Sequence, residues 1–424
     1  MKLTIHRGTN QIGGSVVEIE SEGYKVFIDF GEQLPDTTSG ELGPIKGLTY
    51  GDVTKSALFI SHYHQDHIGM ISETEPNLPI YIGKTAIEIY RILKRRLSKI
   101  PDVDVAKEHK EILKRVESVK TFEAKDEIKV GGITVTPLFT DHSAFDAYMF
   151  VIEAENVRIL YTGDFRGHGF KSKGVKALSV YAQNIDYIIT EGTNINRLDA
   201  VLQTEKELQG EFKRQFSENK YNFVFVASTN IDRIFSVYHA AKDAGLCFVC
   251  DKYQAKIMET VSNNHKQYSS FYDIDYNQKK NSNGRFFKLH RNEEGIFSFK
   301  GKLKPYLERH GFCMLIRQND AYKPLLDEYV KSGNGKIYYS MWKGYLDKNK
   351  TAFSSSLYNF LEPYEIEHMH TSGHADVKAL KEVFDIVKPK AGIIPIHTEH
   401  PEMFKDVFPE YNIFELNDGE KFVL

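Results

Sequence analysis

Seven consecutive residues, Ser61-His62-Tyr63-His64-Gln65-Asp66-His67, carry three imidazoles and a carboxylate. The apolar run at 57–60 delivers the chain to them as a strand, in which side chains at i and i+2 lean to one side. His62 and His64 therefore share a direction, while Asp66 and His67 turn toward a neighbouring point. Imidazole nitrogens with a carboxylate suit Zn²⁺ or Mn²⁺, and packing such groups densely is costly without a cation to neutralise and order them. The alternative is a hydrated loop that happens to be rich in histidine. Cys247 and Cys250 form a C-x-x-C, but they lie inside the apolar run 246–250 with no second pair to complete four ligands, and they read as a buried strand.

The elements around that loop follow from the pattern of apolar runs and glycines. Short β-like runs at 2–6, 15–19, 25–30, 57–61 and 80–82 predict a mixed sheet. Residues 84–120 turn helical, and strands return at 133–139, 147–152, 157–161 and 187–190. After about residue 197 the texture changes to a helix over 202–216, a strand over 222–227, a helix over 233–244 and a strand over 246–250. That order suggests a small parallel-sheet unit. A helix near 376–387 and a strand over 391–396 come later, and 277–285 and 332–335 read as loops.

At 424 residues the chain exceeds one ordinary domain. Its 55 Lys and Arg against 58 Asp and Glu give a net charge of -3, which excludes a uniformly basic nucleic-acid coat protein. Charge is partitioned, however: 84–120 holds 11 basic against 6 acidic residues, and 252–310 holds 12 against 6. The second stretch is interleaved with Tyr253, Tyr268, Phe271, Tyr272, Tyr276, Phe286 and Phe287. Most of these aromatics read as core and the rest as base-stacking groups, and the lysines read either as a nucleic-acid face or as a solvated one. Hydrophobic residues at 41% and charged residues at 27% describe a soluble globular chain, and three cysteines exclude a disulfide scaffold. The start of the chain lacks the pattern of a signal peptide and no apolar run approaches the roughly 20 residues of a bilayer span. A cytoplasmic protein without membrane association is expected.

The H-x-H-x-D-H run resembles the signature of the metallo-β-lactamase fold, a four-layer αβ/βα sandwich with metals at one edge of its sheets. The resemblance implies further ligands at strand ends, namely His142 in Thr140-Asp141-His142-Ser143 and Asp164 in Thr162-Gly163-Asp164-Phe165. It implies two divalent metal ions, Zn ahead of Mn: one on His62, His64 and His142, the other on Asp66, His67 and His397, with Asp164 bridging. A hydroxide between metals about 3.5–4 Å apart is a nucleophile at neutral pH. Residues 8–15 and Ile28-Asp29-Phe30-Gly31 match the opening strands of the fold. The 8–15 turn lacks the Lys-Ser/Thr of a phosphate-cradling loop, and Asp29 is expected to orient a ligand loop by hydrogen bonds.

Three further stretches resemble motifs A, B and C of the β-CASP nucleases: Thr190-Glu191-Gly192-Thr193-Asn194, His370-Thr371-Ser372-Gly373-His374-Ala375 and Pro395-Ile396-His397-Thr398-Glu399. Ser228-Thr229-Asn230-Ile231-Asp232-Arg233 resembles a turn of ribonuclease J. The resemblance implies an α/β chain: a metallo-β-lactamase αββα sandwich in two parts, 1–197 and 349–424, interrupted over 198–348 by an inserted β-CASP α/β domain with a mainly parallel sheet. Motif A carries Glu in place of the usual Asp of ribonuclease J, motif C reads His-Thr-Glu where His-Gly-Glu is usual, and the chain stops soon after motif C, where ribonuclease J continues into a C-terminal domain.

The implied activity is a ribonuclease, endo- or 5′-exonucleolytic, acting on single-stranded RNA. Asp66, Glu191 and His374 are its expected catalytic groups: His374 touches the scissile phosphate or protonates the leaving oxygen, and Glu191 fixes its tautomer. Ser228, Thr229, Arg233, His370, Ser372 and the backbone of Gly373 are expected to bind phosphate, since the Arg fork matches it. For Arg233 the competing reading is a surface salt bridge at a helix start. DNA hydrolysis, a small-molecule hydrolase of lactonase or thioesterase type, and a non-catalytic RNA-binding subunit stand as alternatives. A homo-oligomer is allowed.

Overall fold

A computed structural model of the chain describes residues 1–35, 37, 40–198, 202–265, 269–275, 285–299 and 301–424; Tyr268, Tyr276 and nearly all of the loop read at 277–285 lie outside these. The chain divides into two compact units, one of residues 1–201 with 373–424 and one of residues 202–372.

The first unit is built on two sheets. A seven-stranded sheet runs in the order Lys421–Val423, Lys2–Arg7, Val16–Ser21, Tyr24–Ile28, Ser56–Ile60, Ile80–Gly83, Lys120–Phe122, antiparallel through the hairpins and parallel from Tyr24–Ile28 onward. A six-stranded sheet runs Gly392–Ile396, Tyr187–Glu191, Val157–Tyr161, Tyr148–Ala154, Ile133–Phe139, Ile128–Val130, parallel among the first three. Alternation along the strands puts Val26, Ile28, Ala57 and Phe59 into one apolar layer with Val135, Phe150, Ile152 and Ile394. The other face of the second sheet, including Met149, Leu160 and Ile188, is covered by Leu380, Val383 and Phe384 of helix Val377–Val387. Helix Lys84–Leu97 packs on the first sheet beside Ile80–Gly83. These layers are the αββα sandwich.

The helical stretch read over 84–120 is two helices, Lys84–Leu97 and Val103–Arg115, followed by a short strand. Pro101 disfavours helix at the residue before it, and the Asp102 side chain caps the second helix by accepting from the amides of Asp104 and Val105.

The second unit is a seven-stranded sheet in the order Phe297–Ser298, Phe286–Arg291, Cys247–Asp251, Phe312–Ile316, Tyr221–Phe225, Gly335–Tyr339, Ile366–His368, parallel except at its first pair. Cys247 and Cys250 are buried in one of its interior strands. The unit extends to Ser372, so 349–372 do not belong to the returning part of the sandwich as expected. Ile366–His368 pairs in parallel with Gly335–Tyr339, and helix Ser355–Leu361 buries Leu357, Phe360 and Leu361 in this unit's core. Among the described residues no helix is long and apolar enough to cross a membrane.

Candidate metal centre

Parallel strands of both sheets of the first unit end at one place. Asp29 follows Tyr24–Ile28, the 61–67 loop follows Ser56–Ile60, His142 follows Ile133–Phe139, Asp164 follows Val157–Tyr161, Glu191 ends Tyr187–Glu191, and His397 follows Gly392–Ile396. Two of these residues leave their strands in the left-handed region, Asp29 at φ 59° and His397 at φ 51°, which non-glycine residues seldom occupy and which recurs at functional sites. The turn after Asp29 lies directly on the ligand loop. Phe30 N–H donates to His67 O at 2.8 Å, and a Cβ on Gly31 would meet Asp66 O at 1.7 Å, so only glycine fits.

Three groups of side chains could each hold a cation: His62, His64 and His142; Asp66, His67, Asp164 and His397; and Asp164, Glu191 and His374, which shares Asp164 with the second. Asp164 faces the first two. Its Oδ1 lies 3.2 Å from His67 Nε2 and 3.6 Å from His397 Nε2, while Oδ2 lies 3.8 Å from His62 Nε2. Asp66 Oδ2 is 3.7 Å from the Nε2 atoms of both His67 and His397. His142 Nε2 stands 3.1 Å from His64 Nδ1. His62 Nε2, His67 Nε2, His397 Nε2 and Asp164 Oδ1 are buried with no hydrogen-bond partner. Buried polar atoms are rarely left so; three of them, on His67, His397 and Asp164, belong to one group and the fourth, on His62, to its neighbour, and each set fits a divalent cation.

The far side of four of the five ligand rings, all but that of His64, is held. His67 Nδ1–H donates to Asp29 Oδ2 at 2.8 Å, and His142 Nδ1–H donates to Gly373 O at 2.9 Å. Ser61 Oγ–H donates to Asp29 Oδ2 at 2.8 Å, so it accepts from His62 Nδ1 at 3.1 Å. Each bond puts the proton on Nδ1 and leaves the Nε2 lone pair for a ligand. His397 Nδ1 lies 3.2 Å from Ser15 Oγ and 3.3 Å from Gly13 N. A tautomer directing Nδ1–H to Ser15 frees its Nε2 likewise. Asp29 also accepts from Ser61 N–H at 2.7 Å and from Tyr161 OH at 2.8 Å.

Electrostatics separate the ligands. Burial, with their mutual proximity, holds His62 and His142 well below the usual imidazole range and brings His64 down to about 4. Neutral imidazoles are the form that binds metal. Burial also works against charge on His67, but Asp164, Asp29 and Asp66 outweigh it and hold His67 well above the usual value. Burial favours the neutral acid at Asp164, yet His397, His67 and His374 hold its carboxyl well below the carboxylate range. The proton on His67 therefore sits where the carboxylates concentrate negative charge.

His374 borders this group. Its Nδ1 lies 3.1 Å from Glu191 Oε2, 3.2 Å from Thr193 Oγ1 and 3.6 Å from Asp164 Oδ2. Burial opposes its charge, but Glu191 and Asp164 raise it to about 9. Glu191 is fixed by the amides of Phe165 at 2.9 Å and Ala375 at 3.3 Å on Oε1.

Several residues that hold the site went unread in the sequence. Buried Arg7 donates to Gly14 O at 2.8 Å and to Gly31 O, tying the two glycine turns together. Tyr161, three residues before Asp164 in an apolar strand, carries no signal beyond its position at a strand end. Lys94, buried in the basic stretch, donates to Gln65 Oε1 at 3.1 Å, and burial lowers its ammonium to about 8.

The expected phosphate-binding residues are divided between the units. Gly373 belongs to the first, where its carbonyl orients His142; Ser228, Thr229, Arg233, His370 and Ser372 belong to the second. Arg233 does not offer its fork to a phosphate. It is fully buried and pairs with buried Glu205 through Nε–Oε2 at 3.1 Å and Nη2–Oε1 at 2.9 Å, and it donates to Ser340 Oγ at 2.5 Å and Thr371 O at 3.3 Å. The salt bridge is thus buried, not on the surface. His370 Nδ1 lies 3.4 Å from Arg233 Nη1, and burial with that guanidinium lowers His370 to about 3. Ser228 is buried, and Thr229 and Ser372 are half-buried. Of the aromatics in 252–310, Tyr272 and Phe286 are core residues, and Phe287 packs on the core, so none of these three is a stacking group.

A family model described as "Anti-Pycsar protein Apyc1" matches residues 14–223, and one described as "Zn-dependent metallo-hydrolase RNA specificity domain" matches residues 363–408. Ribonuclease J of Helicobacter pylori is 22% identical over 445 residues, covering 99% of this chain and 60% of that protein. Cleavage and polyadenylation specificity factor 73 of Drosophila melanogaster is 27% identical over 197 residues, covering 43% of this chain and 27% of that protein. The chain thus spans less than two thirds of the length of these curated relatives. A crystal structure of a protein of unknown function from Enterococcus faecalis V583 superposes with a TM-score of 0.71 at 20% identity, over 100% of this chain and 99% of that one.

Proposed function

We propose that this chain, which belongs to the ribonuclease J-like β-CASP proteins of the metallo-β-lactamase fold, is a metal-dependent phosphodiester hydrolase acting on single-stranded RNA in the cytoplasm. The observation that carries the hydrolase reading is the pair of adjacent ligand groups, with unpartnered buried atoms on His62 in one and on His67, His397 and Asp164 in the other, beside a charged His374. Two divalent ions, Zn first and Mn second, on His62, His64 and His142 and on Asp66, His67 and His397, with Asp164 between, would supply Lewis acidity for a water nucleophile and a phosphoryl oxygen.

The chain's own groups do the rest. His374 keeps a proton at neutral pH, and its Nδ1–H is held by Glu191, so Nε2–H faces the substrate as acid for the departing oxygen. Glu191 cannot swing away, because the amides of Phe165 and Ala375 pin its other oxygen. Asp29 and Ser61 set the rings of His67 and His62. RNA as substrate is supported by the 99% coverage of this chain against ribonuclease J and by the RNA specificity model at 363–408.

The test is hydrolysis of labelled RNA by the Zn²⁺- or Mn²⁺-loaded chain. A time course on 5′-monophosphate, 5′-triphosphate and circular RNA separates end-dependent from internal cleavage. His64→Ala should abolish turnover, and His374→Ala should slow it by about 10²–10⁴-fold, the range of general acid catalysis. Unchanged turnover in either variant, or preference for DNA or a small ester over RNA, would overturn the assignment.

A further inference from the structure

The second unit exposes two neighbouring aromatic side chains that the hydrolytic site does not use. Trp342 is 38% and Tyr345 37% exposed, and their ring centroids lie 5.4 Å apart at 84°. Trp342 stands three residues past strand Gly335–Tyr339, at the carboxyl edge of the parallel sheet. Ser228 and Thr229 follow strand Tyr221–Phe225, and His370 follows Ile366–His368, at the same edge of the same unit. Open α/β sheets bind their ligands outside this edge.

The loop is held in place, so the exposure is built in. Tyr339 OH donates to Trp342 O at 3.1 Å, His368 Nε2 lies 3.1 Å from Met341 O, and Ser340 Oγ–H donates to Met369 O at 2.5 Å. A Cβ on Gly344 would meet indole carbons at 2.3–2.4 Å, so the six-membered ring of Trp342 lies directly on that glycine. The neighbouring positions are polar and basic: Lys343, Lys348 and Lys350 are exposed, Lys348 with its Nζ 4.4 Å from the Tyr358 ring centre, and Asp347 is the acidic neighbour. An apolar protein partner calls for a contiguous apolar patch; two rings among lysines match a polyanion that carries flat bases.

We propose that Trp342 is a stacking platform for a base of single-stranded RNA, with Tyr345 set edge-on beside it as a wall and Lys343 taking a phosphate. Aromatic faces accept any base, so the platform adds affinity without sequence preference. The inference rests on the proposed function in taking the bound strand to be the substrate.

Trp342 is the one tryptophan of the chain, so its fluorescence reports this position alone. The metal-loaded full chain is titrated with a 2′-O-methyl phosphorothioate oligonucleotide that resists hydrolysis, and with its abasic counterpart. The oligonucleotide with bases should quench Trp342 saturably and the abasic one should not. By anisotropy of a labelled strand, Trp342→Ala should bind about tenfold more weakly, the scale of one lost stack. Gly344→Ala, which displaces the indole without removing it, should also weaken binding, and Trp342→Phe should keep most of it. Hydrolysis of bis(p-nitrophenyl) phosphate, which carries no nucleobase or strand, should stay unchanged in all three. Equal quenching by the abasic strand, or wild-type affinity in Trp342→Ala, overturns the platform. Absence of metal-dependent hydrolysis of bis(p-nitrophenyl) phosphate and RNA by the wild-type chain overturns the hydrolase reading instead.

Discussion

Asp29 touches no candidate metal position, yet its replacement by asparagine should be felt mainly at one of the two ligand sets. The buried carboxylate accepts Ser61 N–H on Oδ1, and Ser61 Oγ–H, His67 Nδ1–H and Tyr161 OH on Oδ2. Asparagine has one acceptor oxygen. Whichever way the amide lies, its NH₂ faces at least one of these donors, and every remaining bond loses its charge assistance. Bonds to a charged group contribute about 1.5–3 kcal/mol each, against about 1 kcal/mol for neutral ones. His67 is then no longer held with its proton on Nδ1. Losing such an orienting partner costs about 10–100-fold in metal affinity, which is about 1.4–2.7 kcal/mol. His62 reaches Asp29 only through Ser61, so the loss should be larger for the ion on Asp66, His67 and His397 than for the ion on His62, His64 and His142. A competition titration against a chromophoric chelator resolves the two affinities, with circular dichroism as a check on folding. Wild-type affinity for both ions in Asp29→Asn would refute the claim that this carboxylate sets His67.

Glu205→Met or Arg233→Met, each leaving one buried charge unpaired, should cost about 3–5 kcal/mol in urea unfolding, whereas the double variant should lie near wild type. If Arg233→Met unfolds like wild type but loses RNA affinity, the fork is free for phosphate. His370, at about 3 in the folded chain, is below the usual value of about 6.5, so the unfolded chain binds the extra proton. Its contribution to stability is complete above about pH 6.5 and falls as pH drops toward 3, by about 1.4 kcal/mol per pH unit for one proton. Urea midpoints from pH 7 to 5 should therefore fall less steeply in His370→Asn, and equal slopes would show that His370 takes up protons freely in the folded chain.

The ligand-bearing turns were legible because histidines and aspartates directly after apolar strands are chemically conspicuous, and the motifs' order set the inserted unit apart. Arg233 was ambiguous in the sequence for a physical reason: a guanidinium fork fits carboxylate and phosphate alike, and its partner Glu205 is 28 positions away on another helix. The aromatics of 252–310 read mostly as core, and Tyr272, Phe286 and Phe287 pack there; core and stacking platform use the same side chains, and burial decides between them. Arg7 and Tyr161 act through backbone carbonyls and a buried carboxylate that only the folded chain brings near. The end of the inserted unit was misplaced because the three-residue strand Ile366–His368 leaves almost no periodic pattern.

The ligand set around Asp164 is drawn from both sides of the second unit, which gives it a timetable. Asp164 and His397 are 233 positions apart, so at about 5–20 residues per second a ribosome needs roughly 12–47 s to supply the last histidine after the bridging carboxylate. Until strand Gly392–Ile396 docks beside Tyr187–Glu191, a nascent chain carries an incomplete cation site and an open sheet edge. Under the proposed function, arming is deferred until the whole second unit and strand Gly392–Ile396 have been made, so a chain that has only its first 372 residues carries no complete ligand set around Asp164.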